Sequence, residues 1–188
     1  RSMWSFKDPG KSWQAVYERA HPPGFRWLHE SFGTNWRMME VQAAIGRIQL
    51  RRMKTWHAER VRNACTLWNT ARHLPGLRVP VLPSTIEHAA YKCYVFVDSS
   101  VLKPDWNRDR ILEKIALQGV PCYTGSCSEV YLEKAFAGTG WGPANRLPVA
   151  KELGEISLMF LVHPGLMPSE INRTVQALTA VMQESVGK

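Results

Sequence analysis

The sequence predicts an α+β fold in which helices lie on one side of a small sheet. The run YKCYVFVD at 91–98 is aromatic and β-branched, and SLMFLV at 157–162 is continuously apolar, which favours a strand at each place. Residues 108–118 and the segment from Pro168 onward carry apolar residues at spacings of three and four, which favours helices. Strands and helices therefore share one small layer, which is the α+β class.

Before the long helical pattern, residues 12–32 show no clean periodicity. Pro9 and Gly10 form a dipeptide that predicts a turn. Residues 12–32 predict a loop excursion with a short helix at 13–19, and loops of this length in a compact protein are often functional or interfacial.

Residues 38–74 follow a helical pattern that predicts two helices. The first ends near Lys54 and the second runs from Ala58 to His73, before Pro75 and Gly76. The apolar stripe of the first helix consists of Met38, Val41, Ile45 and Ile48, and the stripe of the second of Val61, Cys65, Trp68 and Arg72.

Beyond residue 76 the predicted elements are short. Residues 77–83, LRVPVLP, predict an extended connector rather than a central strand, because proline cannot donate to a ladder. Asp105, Trp106 and Asn107 predict the cap of the helix at 108–118, which ends at Gly119. We expect Ile111, Ile115 and Leu117 of that helix to pack inward. A short strand at 120–123 and an irregular stretch at 124–148, with one helix near 129–136, complete the sequence of elements.

Composition indicates a globular protein: 188 residues, 45% hydrophobic and 21% charged, with a net charge of +8. Lys and Arg are spread along the chain, which argues against a nucleic-acid-binding arm and is compatible with an anionic small molecule. No apolar run approaches the roughly 20 residues that a membrane span needs, and no secretory signal opens the chain, so we expect a cytoplasmic protein without membrane insertion.

Four cysteines form no metal-binding pattern, and we expect no metal site. Cys65 lies on an apolar helix stripe and Cys93 in a strand, so both are predicted to be buried thiols. This usage fits a reducing compartment.

Residues 33–50, GTNWRMMEVQAAIGRIQL, resemble the segment G-x-N-x-R-M-x-E-x-Q-A-A-I-G-x-x-Q-L of the DegT/DnrJ/EryC1/StrS family of sugar aminotransferases, which depend on pyridoxal phosphate (PLP). Residues 1–11, RSMWSFKDPGK, resemble the family segment R-S-x-x-x-D-H-G-K, with Pro9 in place of the usual His. Residues 122–126, CYTGS, align with H-Y-x-P-L-H, but Cys122 replaces the first His and only Tyr123 carries over.

The resemblance implies a position within a larger fold. Residues 1–76 would be the end of the large domain with its bridging and dimerisation helices, and residues 77–188 the small C-terminal α+β domain of a fold-type I aminotransferase. The family's Schiff-base lysine, which is followed by a T-T-G-E-G-G-like run, would lie upstream of Arg1. The chain starts Arg-Ser-Met-Trp, so we expect either that something precedes Arg1 in the native gene or that this is a cut or engineered piece. Alone it is expected neither to bind PLP nor to transaminate.

The resemblance also implies four binding residues and no catalytic one. Asn35 would contact the PLP phosphate of the neighbouring subunit; capping a helix is the structural alternative. Arg37 would line the shared pocket near the anionic substrate, or form a salt bridge to Glu40 or Glu30. For Trp36 the alternatives are a stacking surface and core packing, and for Tyr123 they are a substrate contact and a buried ring.

By resemblance, the intact enzyme moves the amino group of glutamate onto a nucleotide-linked keto sugar in lipopolysaccharide, glycan or antibiotic sugar assembly. Because Asn35 would serve a neighbour's site, a homodimer is implied, with the helices at 38–74 as its interface. Two alternatives stay open: a non-catalytic domain that binds an anion or a partner, and a PLP-dependent sugar dehydratase of the same family, in which a His replaces the lysine.

Overall fold

The computed structural model describes residues 1–23 and 25–187, and these form two compact units, Arg1–Arg52 and Met53–Lys188. The division predicted at residue 76 refers to the family's large and small domains, and it stays a prediction.

In the first unit, helices α1 (Ser2–Lys7) and α2 (Trp13–Tyr17) flank a tight turn at residues 8–10. The Ser12 side chain caps α2 by accepting a hydrogen bond from the Ala15 backbone N–H at 3.3 Å. Both the turn at Pro9 and Gly10 and the short helix within 13–19 are therefore confirmed.

Residues 40–72 form one helix, α3 (Glu40–Arg72), and the prediction of two helices was wrong. Lys54, Thr55 and His57 interrupt the apolar stripe, but residues 53–58 contain neither proline nor glycine, so nothing breaks the backbone there. The buried positions of α3 all lie in its second half: Asn63, Ala64, Leu67, Trp68 and Ala71. The stripe predicted for the first half is exposed in this chain, at Met38, Val41, Ile45 and Ile48.

Within the second unit, four antiparallel strands form the sheet in the order β1-β2-β4-β3. The strands are β1 (Leu77–Arg78), β2 (Cys93–Val97), β3 (Cys122–Tyr123) and β4 (Ser157–Phe160). The three predicted strands are confirmed, and β1 adds a two-residue edge strand at the start of the predicted connector. All four residues of β4 are buried, as expected for a strand with a partner on each side.

Three helices complete the second unit: α4 (Arg108–Leu117), α5 (Pro148–Ile156) and α6 (Pro168–Ser185). Asn107 caps α4 as predicted, since its Oδ1 accepts from the Arg110 N–H at 2.9 Å. Short 3-10 helices at residues 130–132 and 134–136 stand where one helix was predicted, and α5 was not predicted.

The core of the second unit forms where α3, α4 and α6 pack with the strands. Its largest fully buried side chains are Phe160, Leu67, Ile111, Ile115, Leu158, Leu178 and Met182. Leu117, expected to pack inward, is 75% exposed, because a residue two positions beyond Ile115 points about 200° away from it around the helix. The α+β class is confirmed.

Two cysteines are buried and two are exposed. Cys93 is buried as predicted, but Cys65 is exposed, because the buried face of α3 runs through Ala64, Leu67 and Trp68. Burial raises the pKa of the Cys93 and Cys122 thiols to about 12. Cys127 is exposed.

We expect a thiol reagent at pH 8 to modify Cys65 and Cys127 within minutes, while Cys93 and Cys122 react only after denaturation, since the thiolate is the reactive form. Mass spectrometry of the folded and the urea-denatured chain checks this, with Cys127→Ser and Cys65→Ser identifying the two fast sites. Rapid modification of Cys93 in the folded chain would contradict the buried sheet.

Within the described residues, none of the helices combines the length and the apolar character that crossing a bilayer requires.

Candidate functional site

The loop of residues 33–37 carries three of the predicted site residues, and the turn after α1 holds it in place. The backbone N–H of Thr34 donates to the Phe6 carbonyl at 2.7 Å, and that of Trp36 donates to the Lys7 carbonyl at 3.0 Å. Upstream, the N–H groups of Glu30 and Ser31 both donate to the Gly10 carbonyl. The loop is therefore tied to residues 6–10 along its length.

Two glycines make this close approach possible. Gly10 has a φ of +84°, and a Cβ built on it would lie 1.7 Å from the Ser31 carbonyl oxygen. A Cβ on Gly33 would lie 2.6 Å from both the Gly10 nitrogen and the Phe6 carbonyl oxygen. Neither position has space for a side chain, so both glycines are required by packing between backbones.

Asn35 lies exposed in this loop with its amide donors available. Its Oδ1 accepts a hydrogen bond from the Arg37 N–H at 3.3 Å, and its Nδ2 has no hydrogen-bond partner among the described residues. Helix α3 begins five residues later, at Glu40, so Asn35 does not cap it. A free amide donor on a short loop can bind a phosphate oxygen.

Arg37 forms an ion pair between its Nε and the Oδ1 of Asp8, whose side chain is only 11% exposed. The predicted alternatives were Glu40 and Glu30, but Glu30 pairs with Arg19 at 2.9 Å. Half of the Arg37 side chain is exposed, so Asp8 fixes one side of the guanidinium and leaves the other available.

Trp36 is 67% exposed, and its indole makes an edge contact with the Phe6 ring at 5.4 Å between ring centroids. Core packing, which was one alternative for Trp36, is therefore wrong for this chain. The indole face is available as a stacking surface.

Tyr123 belongs to the second unit, on the edge strand β3, where it pairs with Met159 of β4. Its neighbour Cys122 faces the core, and Tyr123 therefore points the opposite way and is 48% exposed. Because the ring is exposed and its hydroxyl has no hydrogen-bond partner in the described part of the chain, the alternative of a buried, satisfied ring was wrong.

The irregular stretch after β3 lines a cleft of about 460 Å³ with α5 and Arg108. Glu129 fixes one wall: its Oε1 accepts from Arg146 Nε at 2.8 Å and from Tyr131 Oη at 2.6 Å. The Tyr131 hydroxyl in turn accepts from the Leu147 N–H at 2.9 Å. The sequence analysis missed this cluster, because its members are separated by irregular chain and share no periodic pattern.

The Arg146 guanidinium, followed by the Tyr131 hydroxyl, lowers the pKa of Glu129 to about 2 from its ordinary value of 4.5. A lowered pKa in the folded state means that Glu129 stabilises the fold above about pH 4.5, and that this contribution is lost as the pH falls through about 2. We expect Glu129→Gln to lower the melting temperature at pH 6 and to reduce the loss of stability between pH 4.5 and 2.

Thermal unfolding at a series of pH values measures this effect. Glu133→Gln is the matched control, since Glu133 lines the same cleft and forms no ion pair within the described residues. Identical acid sensitivity in the wild type and Glu129→Gln would contradict the role of the ion pair.

Among residues 1–23 and 25–187, no group of three or more His, Cys, Asp or Glu side chains is placed to hold a metal ion.

Comparison with known proteins places this geometry among aminotransferases. The model of the DegT/DnrJ/EryC1/StrS aminotransferase family matches residues 11–179. The X-ray structure of the aminotransferase from Psychrobacter cryohalolentis is similar with a TM-score of 0.86 and 56% identity, over 98% of this chain and 49% of that one.

Two curated relatives match over most of this chain. The erythromycin biosynthesis sensory transduction protein EryC1 of Saccharopolyspora erythraea is 30% identical over 82% of this chain and 40% of its own length. The dTDP-3-amino-3,4,6-trideoxy-alpha-D-glucose transaminase of Streptomyces venezuelae is 26% identical over 81% of this chain and 38% of its own length. The chain thus spans less than half the length of these relatives.

Proposed function

The chain belongs to the DegT/DnrJ/EryC1/StrS aminotransferase family, and on that premise we propose that it is the C-terminal part of a PLP-dependent sugar aminotransferase. The intact enzyme transfers the amino group of glutamate to a nucleotide-linked keto sugar used in lipopolysaccharide, glycan or antibiotic sugar assembly. The observation that carries the proposal is the loop of residues 33–37, which presents the exposed side of Arg37 and an Asn35 side chain whose Nδ2 has no partner among the described residues.

When bound, PLP supplies an electron sink for moving the amino group. The chain's own contribution is to hold and orient. Asn35 donates to the cofactor phosphate of the neighbouring subunit, and its free Nδ2 fits that role. These 188 residues contain no T-T-G-E-G-G-like run, and Lys7 and Lys11 stand in other surroundings. We therefore propose that the Schiff-base lysine lies outside them and that these residues alone do not transaminate.

Arg37, Trp36 and Tyr123 contact the substrate. The ion pair with Asp8 fixes the rotamer of Arg37 before an anionic group binds to the exposed side of the guanidinium. Less side-chain entropy is therefore lost on binding. Trp36 offers a flat apolar face, suited to a sugar or a base. Tyr123 has an exposed hydroxyl without a partner in the described part of the chain, which can donate a hydrogen bond to the substrate.

A second copy of the chain covers the first half of α3. Four residues of one stripe, Met38, Val41, Ile45 and Ile48, are all about half or more exposed. A stripe of large apolar side chains on an isolated helix face is typical of a surface that a partner buries. A homodimer brings Asn35 of one subunit to the cofactor of the other.

Subunit complementation in the full-length protein tests the proposal. One variant lacks the Schiff-base lysine and the other carries Asn35→Ala. Glutamate-dependent amination of dTDP- and UDP-linked keto sugars is then measured for each variant alone and for the two refolded together. If Asn35 serves the neighbour's cofactor, the mixed dimer regains one complete site and activity returns. Asn172→Ala, an exposed asparagine on α6, is the matched control and stays active alone.

No recovery in the mixture would overturn the role of Asn35 across subunits. Dehydration of the sugar without consumption of glutamate would move the function to a dehydratase. A monomer at working concentration would remove the dimer from the proposal.

A further inference from the structure

Three side chains of the second unit, Lys92, Tyr94 and Ser126, meet at the face of the sheet that Tyr94 occupies. Lys92 immediately precedes β2, and Tyr94 lies two residues later on the same face of the strand, opposite to the buried Cys93 and Val95. Ser126 comes from the loop after β3. Its Oγ accepts from Lys92 Nζ at 3.0 Å and lies 3.4 Å from Tyr94 Oη.

Gly125 brings the loop onto the Tyr94 ring. Its φ is +94°, and a Cβ there would lie 2.4 Å from Tyr94 Cε1 and 2.7 Å from the hydroxyl. The close approach lets the Ser126 N–H donate to Tyr94 Oη at 3.0 Å. The arrangement therefore depends on a glycine at position 125, which both the positive φ and the contact with Tyr94 require.

The hydrogen bonds within the group leave donors in excess. The Ser126 oxygen accepts from Lys92 and from Tyr94, which uses both of its lone pairs, so its own proton points outward. The Lys92 ammonium keeps two further N–H donors. No carboxylate lies within 4 Å of Lys92 among residues 1–23 and 25–187, so its charge is uncompensated there.

Lys92 and Arg60 both approach the ring of the exposed Tyr91. The Arg60 guanidinium stands 5.7 Å from the centroid of the Tyr91 ring, and Lys92 Nζ stands 5.9 Å from it. A cleft of about 350 Å³ runs along residues 88–92 to Tyr94 and Ser126. Ser126 also lines the cleft of about 460 Å³ described above, so two open clefts meet at this hydroxyl.

We propose that Lys92, Tyr94 and Ser126 form a subsite for a phosphate oxyanion, the diphosphate of the nucleotide-linked sugar. The assignment of the diphosphate to that sugar rests on the proposed function; the oxyanion site itself rests on the geometry. The Lys92 ammonium and the Ser126 hydroxyl supply N–H and O–H donors for a multiply charged group, and the two clefts that Ser126 lines leave room for the two parts that a diphosphate joins. Tyr94 acts as a positioning residue, because it holds Ser126 rather than the ligand.

The subsite can be tested by calorimetric titration of inorganic pyrophosphate into the PLP-saturated full-length protein. The titration is done at fixed ionic strength and without sugar nucleotide. Loss of one charge-assisted hydrogen bond predicts that Lys92→Gln raises Kd about tenfold, and loss of one neutral donor predicts about threefold for Ser126→Ala. Lys92→Arg keeps the charge and retains most of the affinity, which also covers the case in which Lys92→Gln fails to fold.

Lys54→Gln is the matched control, since Lys54 is an exposed lysine of α3 outside the group. We expect the Kd of this variant to stay within about twofold of the wild type, because it loses only a long-range charge interaction that salt screens. Wild-type affinity in Lys92→Gln, or an equal loss in Lys54→Gln, would overturn the subsite. If glutamate displaces pyrophosphate more readily than UDP does, the group binds the amino donor's carboxylate and the diphosphate assignment is overturned. Failure of transamination leaves this titration unaffected, so the two proposals fail separately.

Discussion

Replacing Leu158 with alanine is expected to lower the free energy of unfolding of the Met53–Lys188 unit by about 2–5 kcal/mol. Leu158 is fully buried on β4, where it pairs with Val95 of β2. The substitution removes apolar contacts and leaves a cavity in the centre of the core, which close packing relaxes only in part. Because a domain is stable by only about 5–15 kcal/mol, this loss is a large part of the total.

Urea denaturation followed by circular dichroism measures the loss. Leu117→Ala is the matched control: the same chemical change on a residue that is 75% exposed is expected to alter stability by no more than about 0.5 kcal/mol. Equal effects of the two substitutions would contradict the burial of β4.

Alanine at Gly10 is expected to release the loop of residues 33–37 from the turn after α1. The new Cβ would lie 1.7 Å from the Ser31 carbonyl oxygen, in a backbone conformation that L-residues rarely adopt. The backbone of residue 10 fixes the position of the Cβ, and the Ser31 carbonyl is itself backbone, so no side-chain rotation relieves the clash and residues 29–34 must move. Amide hydrogen exchange checks this, because the Thr34 and Trp36 N–H groups, which donate to Phe6 and Lys7, are expected to lose protection.

Alanine at Gly138 is the control that separates backbone strain from the steric collision expected in Gly10→Ala. Its φ is +76°, close to that of Gly10, but a Cβ there would meet nothing within 4 Å in the described structure. Gly138→Ala therefore carries the backbone strain alone, about 1–2 kcal/mol, without the collision. Full protection of the Thr34 and Trp36 amides in Gly10→Ala would contradict the close approach.

Elements with a local signal could be predicted from the sequence. Pro168 at the first turn and apolar residues on one face predicted α6, and the Asn107 cap predicted the start of α4. Such signals act within one or two turns of helix, so they do not depend on the rest of the fold.

Elements without a local signal were missed or divided. β1 has two residues and forms only because β2 lies beside it. The break predicted within α3 came from its side-chain pattern, whereas helix continuity depends on the backbone, which nothing there interrupts. α5 was missed because its apolar pattern is only nine residues long and includes Gly154.

The contacts within the candidate sites could be predicted from the sequence even less than the elements without a local signal. Asn35, Trp36, Arg37 and Tyr123 were identified by family resemblance, and their roles stay predictions. The partner of Arg37 is Asp8, 29 residues earlier, and Lys92 meets Ser126 across 34 residues. Contacts at such separations are created by the fold and leave no spacing in the sequence from which they could be predicted.

The position of β4 has a consequence for synthesis of the chain. β2 and β3 both pair with β4, yet β4 is the last of the four strands to be translated. Until residues 157–160 emerge from the ribosome, β2 and β3 each carry an edge of unpaired N–H and C=O groups, which can recruit strands of other chains. The sheet therefore closes only after residues 157–160 have been translated, and a nascent chain that ends before Ser157 is expected to be prone to aggregation.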